Sequence, residues 1–105
     1  KVPDRNGIVG NSMIDPRRPG EIFSLGNARQ ALDPFWWDEA EPVWIAAERA
    51  GLRTATMFWP GSEVAIGGLR PRDWMRFDQN VTNVQRAATL IDWLRRPAST
   101  RPAFA

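Results

Sequence analysis

The stretch Phe58-Trp59-Pro60-Gly61-Ser62-Glu63 packs several chemically capable side chains into six positions. It follows directly on residues 53–58, which read as a β-strand, and ligands of open α/β sheets sit outside the carboxyl ends of strands. There Trp59 offers a flat face for a base or a sugar, and Glu63 an acceptor for hydroxyls or amines. The same spacing suits a tryptophan packed beneath a Pro-Gly turn, and the residues alone leave both readings open. Asn11 follows Gly7-Ile8-Val9-Gly10. A carboxamide there can donate to a phosphate oxygen without adding charge, and small neighbours let a ligand come close. It is equally a turn residue. Asp38, Glu39 and Glu41 cluster beside Trp36-Trp37. As carboxylates they could hold a hard cation or act as acid and base, or simply favour the positive end of the helix that follows. Trp74 and Phe77, placed in a loop, would stack on a nucleobase or fill core.

Two absences limit this chemistry. The chain has no Cys, which excludes a thiolate nucleophile, a disulfide and a Cys-ligated metal. It has no His, which excludes an imidazole base, a Ser-His triad and a His-ligated zinc. Hydrolysis by these residues alone would have to be carboxylate chemistry. Fourteen basic residues, of which only Lys1 is a lysine, stand against twelve acidic ones. The arginines are scattered, so no basic face for a nucleic-acid duplex is expected.

The elements that must position these groups are few. At 105 residues, with 43% apolar and 25% charged, the chain suits one small folded unit rather than a disordered tail. No apolar run is long enough to span a membrane. Residues 1–42 hold turn after turn, at Pro3-Asp4-Arg5-Asn6-Gly7, Asp15-Pro16 and Pro19-Gly20, with a short strand at 22–25 and an apolar knot at Phe35-Trp36-Trp37. A helix is expected from Glu41-Pro42 to Gly51, with Val43, Ala46, Ala47 and Ala50 on its apolar stripe. The strand at 53–58 follows after a very short joint, the αβ half of a parallel unit. Residues 64–81 read as loop. A second helix, capped by Asn80 or Thr82 and ending at Arg96-Pro97, carries Val84, Ala87, Ala88, Ile91 and Leu94 on one stripe. Residues 101–105 begin another strand. With no initiator Met at one end and a strand just starting at the other, the expectation is an excised piece.

The order of these motifs resembles the type I nucleotide pyrophosphatase/phosphodiesterase family of the alkaline phosphatase superfamily. The likeness rests on Pro3-Asp4-Arg5-Asn6-Gly7-Ile8-Val9-Gly10-Asn11-Ser12-Met13, on Asp15-Pro16, on Glu41-Pro42-Val43-Trp44 and on Phe58-Trp59-Pro60-Gly61-Ser62-Glu63. It covers nearly the whole chain. Asn6 stands where the family usually has His, and Phe77 where it usually has Tyr, which keeps a stacking face and loses a hydroxyl.

The resemblance implies an α/β fold, here a fragment of an alkaline-phosphatase-like sheet domain with two helices, short strands and long ordered loops. Residues 1–105 would be one partial domain, the substrate-pocket portion of the catalytic unit. The family's two zinc ions and its Thr nucleophile would lie outside this chain, which is expected to hold no metal and to be inactive alone. By the same resemblance Asn11 contacts a phosphate oxygen. Leu25, Trp59, Pro60, Glu63 and Phe77 wall the substrate pocket, with Phe77 on the nucleobase. The implied parent is an extracytoplasmic, zinc-dependent hydrolase that cleaves nucleotide phosphodiester or pyrophosphate bonds to nucleoside monophosphates. Self-association through bare strand edges and core faces is expected of the piece. A non-catalytic nucleotide-binding or self-associating module is the competing reading.

Overall fold

The two longest helices form where local signals are strongest, and everything else is arranged around one short parallel ladder. A computed structural model describes residues 2–105. Helix α1 (Pro3–Asn6) is a single turn, stopped by Gly7 in the left-handed region. Strands β1 (Ser12–Met13) and β2 (Phe23–Ser24) pair antiparallel. Helix α2 (Ala28–Ala31) is another single turn, capped by the Asn27 side chain. A 3-10 turn over Pro34–Trp37 follows, capped by Asp33. Then come α3 (Val43–Arg49), β3 (Ala55–Met57), β4 (Asp73–Met75) and α4 (Asn83–Arg95). The expected turn at residues 3–7 is thus a helical turn, α2 is an addition, and Trp74 lies in a strand rather than a loop.

Strand β3 pairs parallel with β4, in the register Ala55 with Asp73 through Met57 with Met75. On its other side Thr54 bridges Phe104, also parallel. The chain therefore leaves β3, returns through a largely irregular crossover to β4, and returns again through α4 to residue 104. This is the mixed α/β arrangement that the helix-then-strand pattern predicts, with β3 at its centre.

Phe23, Trp36, Trp37 and Val64 form an apolar cluster under the long N-terminal loops, with Ile8, Met13, Phe35 and Ile66 packed against it. Phe23 meets Trp37 edge-on at 5.8 Å between centroids, and Phe35 meets Trp36 edge-on at 5.1 Å. Both indole N–H groups find acceptors, Trp36 at Gln30 Oε1 and Trp37 at the Ala31 carbonyl, so burial of the rings leaves no polar cost there. Elsewhere Trp44 and Ile45 of α3, Ala55 of β3 and Trp93 of α4 are buried.

The helices turn different faces inward from those the apolar spacing predicts. Helix α3 buries Trp44 and Ile45, while Val43 is 56% exposed. Alanines count toward an apolar pattern but remove little area, and an indole plus an isoleucine removes far more. Helix α4 buries Trp93 and leaves Val84 79%, Ile91 46% and Leu94 49% exposed. Its inward face is Arg86, Thr89, Trp93 and Arg96. Arg96 is drawn in by Asp73 of β4, at 2.9 Å.

No carboxylate of 38–41 caps α3 by a hydrogen bond. Pro42 is the N-cap of α3 with no side-chain bond to it. Glu41 reaches instead to Arg49 at 2.7 Å, and Glu39 to Arg17 at 2.8 Å.

Candidate functional site

The carboxyl end of β3 is built by a turn in which each residue has a separate task. Phe58 closes the strand with φ 68°, a conformation that costs a β-carbon-bearing residue free energy and is tolerated where the surroundings over-determine it. Trp59 follows, half-exposed, with its ring tilted against Trp44 at 6.1 Å and Phe104 at 6.4 Å. Pro60-Gly61 turns the chain. Gly61 has φ 81°, and a β-carbon there would meet the Trp37 ring at 2.5 Å, so both backbone and space require glycine. Ser62 is fully buried and donates its hydroxyl to the Trp59 carbonyl at 2.8 Å, closing the turn.

Glu63 ends the turn and reaches across to the segment after β4. Its Oε1 accepts the backbone N–H of Phe77 at 2.7 Å, and its Oε2 lies 3.9 Å from Arg76 Nε. Phe77 presents its ring edge-to-face to Phe58, 5.5 Å between centroids. Behind Phe58 stands Arg86 of α4.

These groups surround a recess of about 520 Å³ lined mainly by apolar side chains, within the ~300–1,000 Å³ usual for small-molecule sites. Leu25, Trp59, Pro60, Glu63 and Phe77 all line it. Trp74 does not; it lies under Arg70, whose guanidinium is 5.0 Å from its ring. Asn11 is exposed and outside the recess lining. It is joined to that wall through its backbone, since the Asn11 carbonyl accepts the Leu25 N–H at 3.0 Å.

Sequence reasoning missed several walls. Ala28, Ala31 and Leu32 come from α2 and its end, and Trp37 from the 3-10 turn. The signal for α2 is Asn27 ahead of a short run of helix-forming residues, an N-cap pattern. Phe58 has no such signal, because nothing in its side chain favours a positive φ.

Several carboxylates elsewhere pair with arginines. Asp15 is held below its ordinary range chiefly by hydrogen bonds from Arg17. Asp33 is pushed up by burial, but bonds from the Phe35 N–H and Arg18 outweigh this and leave it lowered. Asp73 pairs with Arg53 at 3.0 Å and with Arg96. Among the described residues no three potential metal ligands come together. The recess thus offers aromatic faces and one paired carboxylate, and among its lining residues there is no nucleophile held by a base.

The sequence model of the type I phosphodiesterase/nucleotide pyrophosphatase family matches residues 1–105. The chain is similar to ectonucleotide pyrophosphatase/phosphodiesterase family member 3 of Bos taurus, 38% identical over 102 residues, which are 97% of this chain and 11% of that protein. It is 35% identical to family member 1 of Homo sapiens, with the same coverage of each. An uncharacterised pyrophosphatase/phosphodiesterase of Schizosaccharomyces pombe is 37% identical over 100 residues, 95% of this chain and 20% of that one. Among solved structures, murine ectonucleotide pyrophosphatase/phosphodiesterase 5 superimposes with a TM-score of 0.83 at 31% identity, covering 97% of this chain and 26% of that chain. An inactive variant of the murine protein, in complex with AMP, gives the same values. The chain thus spans about a tenth of the length of the two mammalian relatives.

Proposed function

The chain belongs to the type I phosphodiesterase/nucleotide pyrophosphatase family and has the alkaline-phosphatase-like fold of its structural neighbours, and from that premise we propose that it is the substrate-binding part of a hydrolase acting on nucleotide phosphodiester or pyrophosphate bonds. The convergence of Leu25, Trp59, Pro60, Glu63 and Phe77 on one recess carries this reading. Half-exposed aromatic rings on an apolar wall suit a planar base, which stacks without needing a particular hydrogen-bond pattern. The relative solved with AMP supports a nucleoside monophosphate as occupant and product. Asn11, one backbone hydrogen bond from Leu25, is proposed to donate its carboxamide to a phosphate oxygen beside the recess.

Two zinc ions do not fit the donors of this chain. It has no His or Cys, and Asp15, Asp33 and Asp73 face arginines. In this reading the zinc ions and the attacking hydroxyl belong to polypeptide outside these 105 residues, residues 1–105 are one partial domain, and the piece alone is inactive. An extracytoplasmic setting is proposed for the parent from the ectonucleotide relatives. Among the described residues no helix is long and apolar enough to cross a membrane.

Calorimetric titration of the chain with AMP tests the recess. Saturable binding, weakened by Phe77→Ala and by Trp59→Ala, is expected; binding unaffected by both substitutions would refute the assignment. For the parent, turnover of a p-nitrophenyl nucleotide ester that a chelator abolishes is expected, and turnover insensitive to chelator would refute metal dependence. The non-catalytic alternative predicts the same AMP binding with no turnover by the parent. The exposed stripe of α4 favours self-association of the isolated piece, and a monodisperse monomer in light scattering would contradict it.

A further inference from the structure

Glu63 lines the recess, yet its carboxylate is engaged with the protein. One oxygen accepts the Phe77 N–H at 2.7 Å and the other lies 3.9 Å from Arg76. The side chain is only 19% exposed. Phe77 sits two residues past the end of β4, where pairing with β3 no longer holds the backbone, and the residue is 60% exposed. A ring so exposed on an unpaired segment samples several positions unless something anchors it, and each freedom lost on binding weakens the ligand. Two anchors are present. Glu63 holds the amide, and Phe58 meets the ring edge-on. Both come from the turn that carries Trp59, so one turn sets the two exposed aromatic faces relative to each other.

We propose that Glu63 is a positioning residue, whose carboxylate fixes Phe77 for stacking rather than contacting the ligand itself. The proposal rests on the nucleotide reading of the recess above. It separates reach from charge. A ligand-directed carboxylate needs its negative charge, whereas an anchor for a backbone N–H needs only an acceptor oxygen at the right distance, which a glutamine supplies.

The test compares Glu63→Gln and Glu63→Ala in this chain by AMP calorimetry and by amide hydrogen exchange. Glu63→Gln is expected to bind AMP within about twofold of the parent sequence, and Glu63→Ala about tenfold more weakly. Exchange at the Phe77 amide should quicken by about tenfold or more in Glu63→Ala only, with the β3 amides unchanged. Equal weakening by both substitutions would mean that the charge acts on the ligand, and would overturn the proposal. So would unchanged Phe77 exchange in Glu63→Ala. If the unsubstituted chain binds no AMP while the exchange pattern holds, the anchoring of Phe77 stands and the nucleotide reading falls.

Discussion

The guanidinium of Arg86 lies 4.6 Å from the centre of the Phe58 ring, and so helix α4 braces the one non-glycine residue with a positive φ among the described residues. Arg86 is itself held, donating from Nε to the Val81 carbonyl at 3.3 Å. The series runs on to Phe77, which meets Phe58 edge-on. A helix far along the chain thereby supports the wall of the recess.

Removing that brace should be measurable. Arg86→Met keeps an apolar stem and loses the charge, at a cost of about 0.5–1 kcal/mol. In a double-substitution cycle with Phe58→Leu, urea denaturation should show a coupling of similar size. A coupling indistinguishable from zero would mean that the ring and the guanidinium are neighbours without mutual stabilisation.

Glu48 joins three elements with one carboxylate. Its Oε1 accepts from the Thr54 N–H at 2.7 Å, the Thr54 hydroxyl at 2.8 Å and the Arg72 N–H at 3.1 Å. Its Oε2 accepts from Arg72 Nε at 3.2 Å. Thr54 is fully buried, so Glu48→Ala strands donors away from water. The expected loss is on the order of 3 kcal/mol, read as a lower urea midpoint at unchanged slope. A loss no larger than that of an exposed control, Arg95→Ala, would show that water replaces the carboxylate at no cost.

Acid should loosen the same region. Burial pushes the Glu48 carboxyl up, but the bonds from Thr54 and Arg72 pull harder and leave it below its ordinary value. Asp73 is likewise raised by burial and brought lower by Arg96 and Arg53. A carboxylate lowered in the folded state binds protons more weakly there than in the unfolded chain. Its stabilising contribution is complete above the ordinary carboxylate value of about 4 and is lost as pH falls through the lowered one. The melting temperature should therefore hold steady from neutrality to about pH 5 and drop below about pH 4. In Glu48→Gln/Asp73→Asn the acid-side drop should shrink; an unchanged profile would place the acid sensitivity elsewhere.

Two glycines separate backbone freedom from space. Gly61 and Gly20 share a positive φ, 81° and 83°. A β-carbon at Gly20 meets nothing within 4 Å, whereas at Gly61 it meets the Trp37 ring at 2.5 Å. Gly20→Ala should cost about 1 kcal/mol from the backbone alone. Gly61→Ala should cost about 2–4 kcal/mol, because Trp37 must also shift. It should weaken AMP binding as well, since Trp37 lines the recess. Equal costs at both positions would show that Trp37 yields freely.

Local chemistry made much of this molecule legible. The capping box of Thr82 and Gln85 and the stop at Pro97 mark α4, and Pro42 with Gly51 bounds α3. The motif at residues 58–63 pointed to the end of a strand, and its Trp59, Pro60 and Glu63 do line one recess with Leu25 and Phe77. Asn11 was grouped with them by resemblance and lies outside the lining. What periodicity could not convey was which helix face turns inward. It counts apolar residues, whereas packing weighs the area each removes from water, so Trp44, Ile45 and Trp93 prevailed over stripes rich in alanine.

The 105 residues by themselves determined the two longest helices, the strand between them, the family and the chemistry on offer, because caps, turns and side-chain types act over a few positions along the chain. Only the tertiary structure decided what the offered groups do. Glu63 meets a backbone N–H fourteen residues away, and Arg96 meets Asp73 across β4 and α4. Such pairings join segments that only the parallel return of the chain brings together, and no spacing within either segment specifies them.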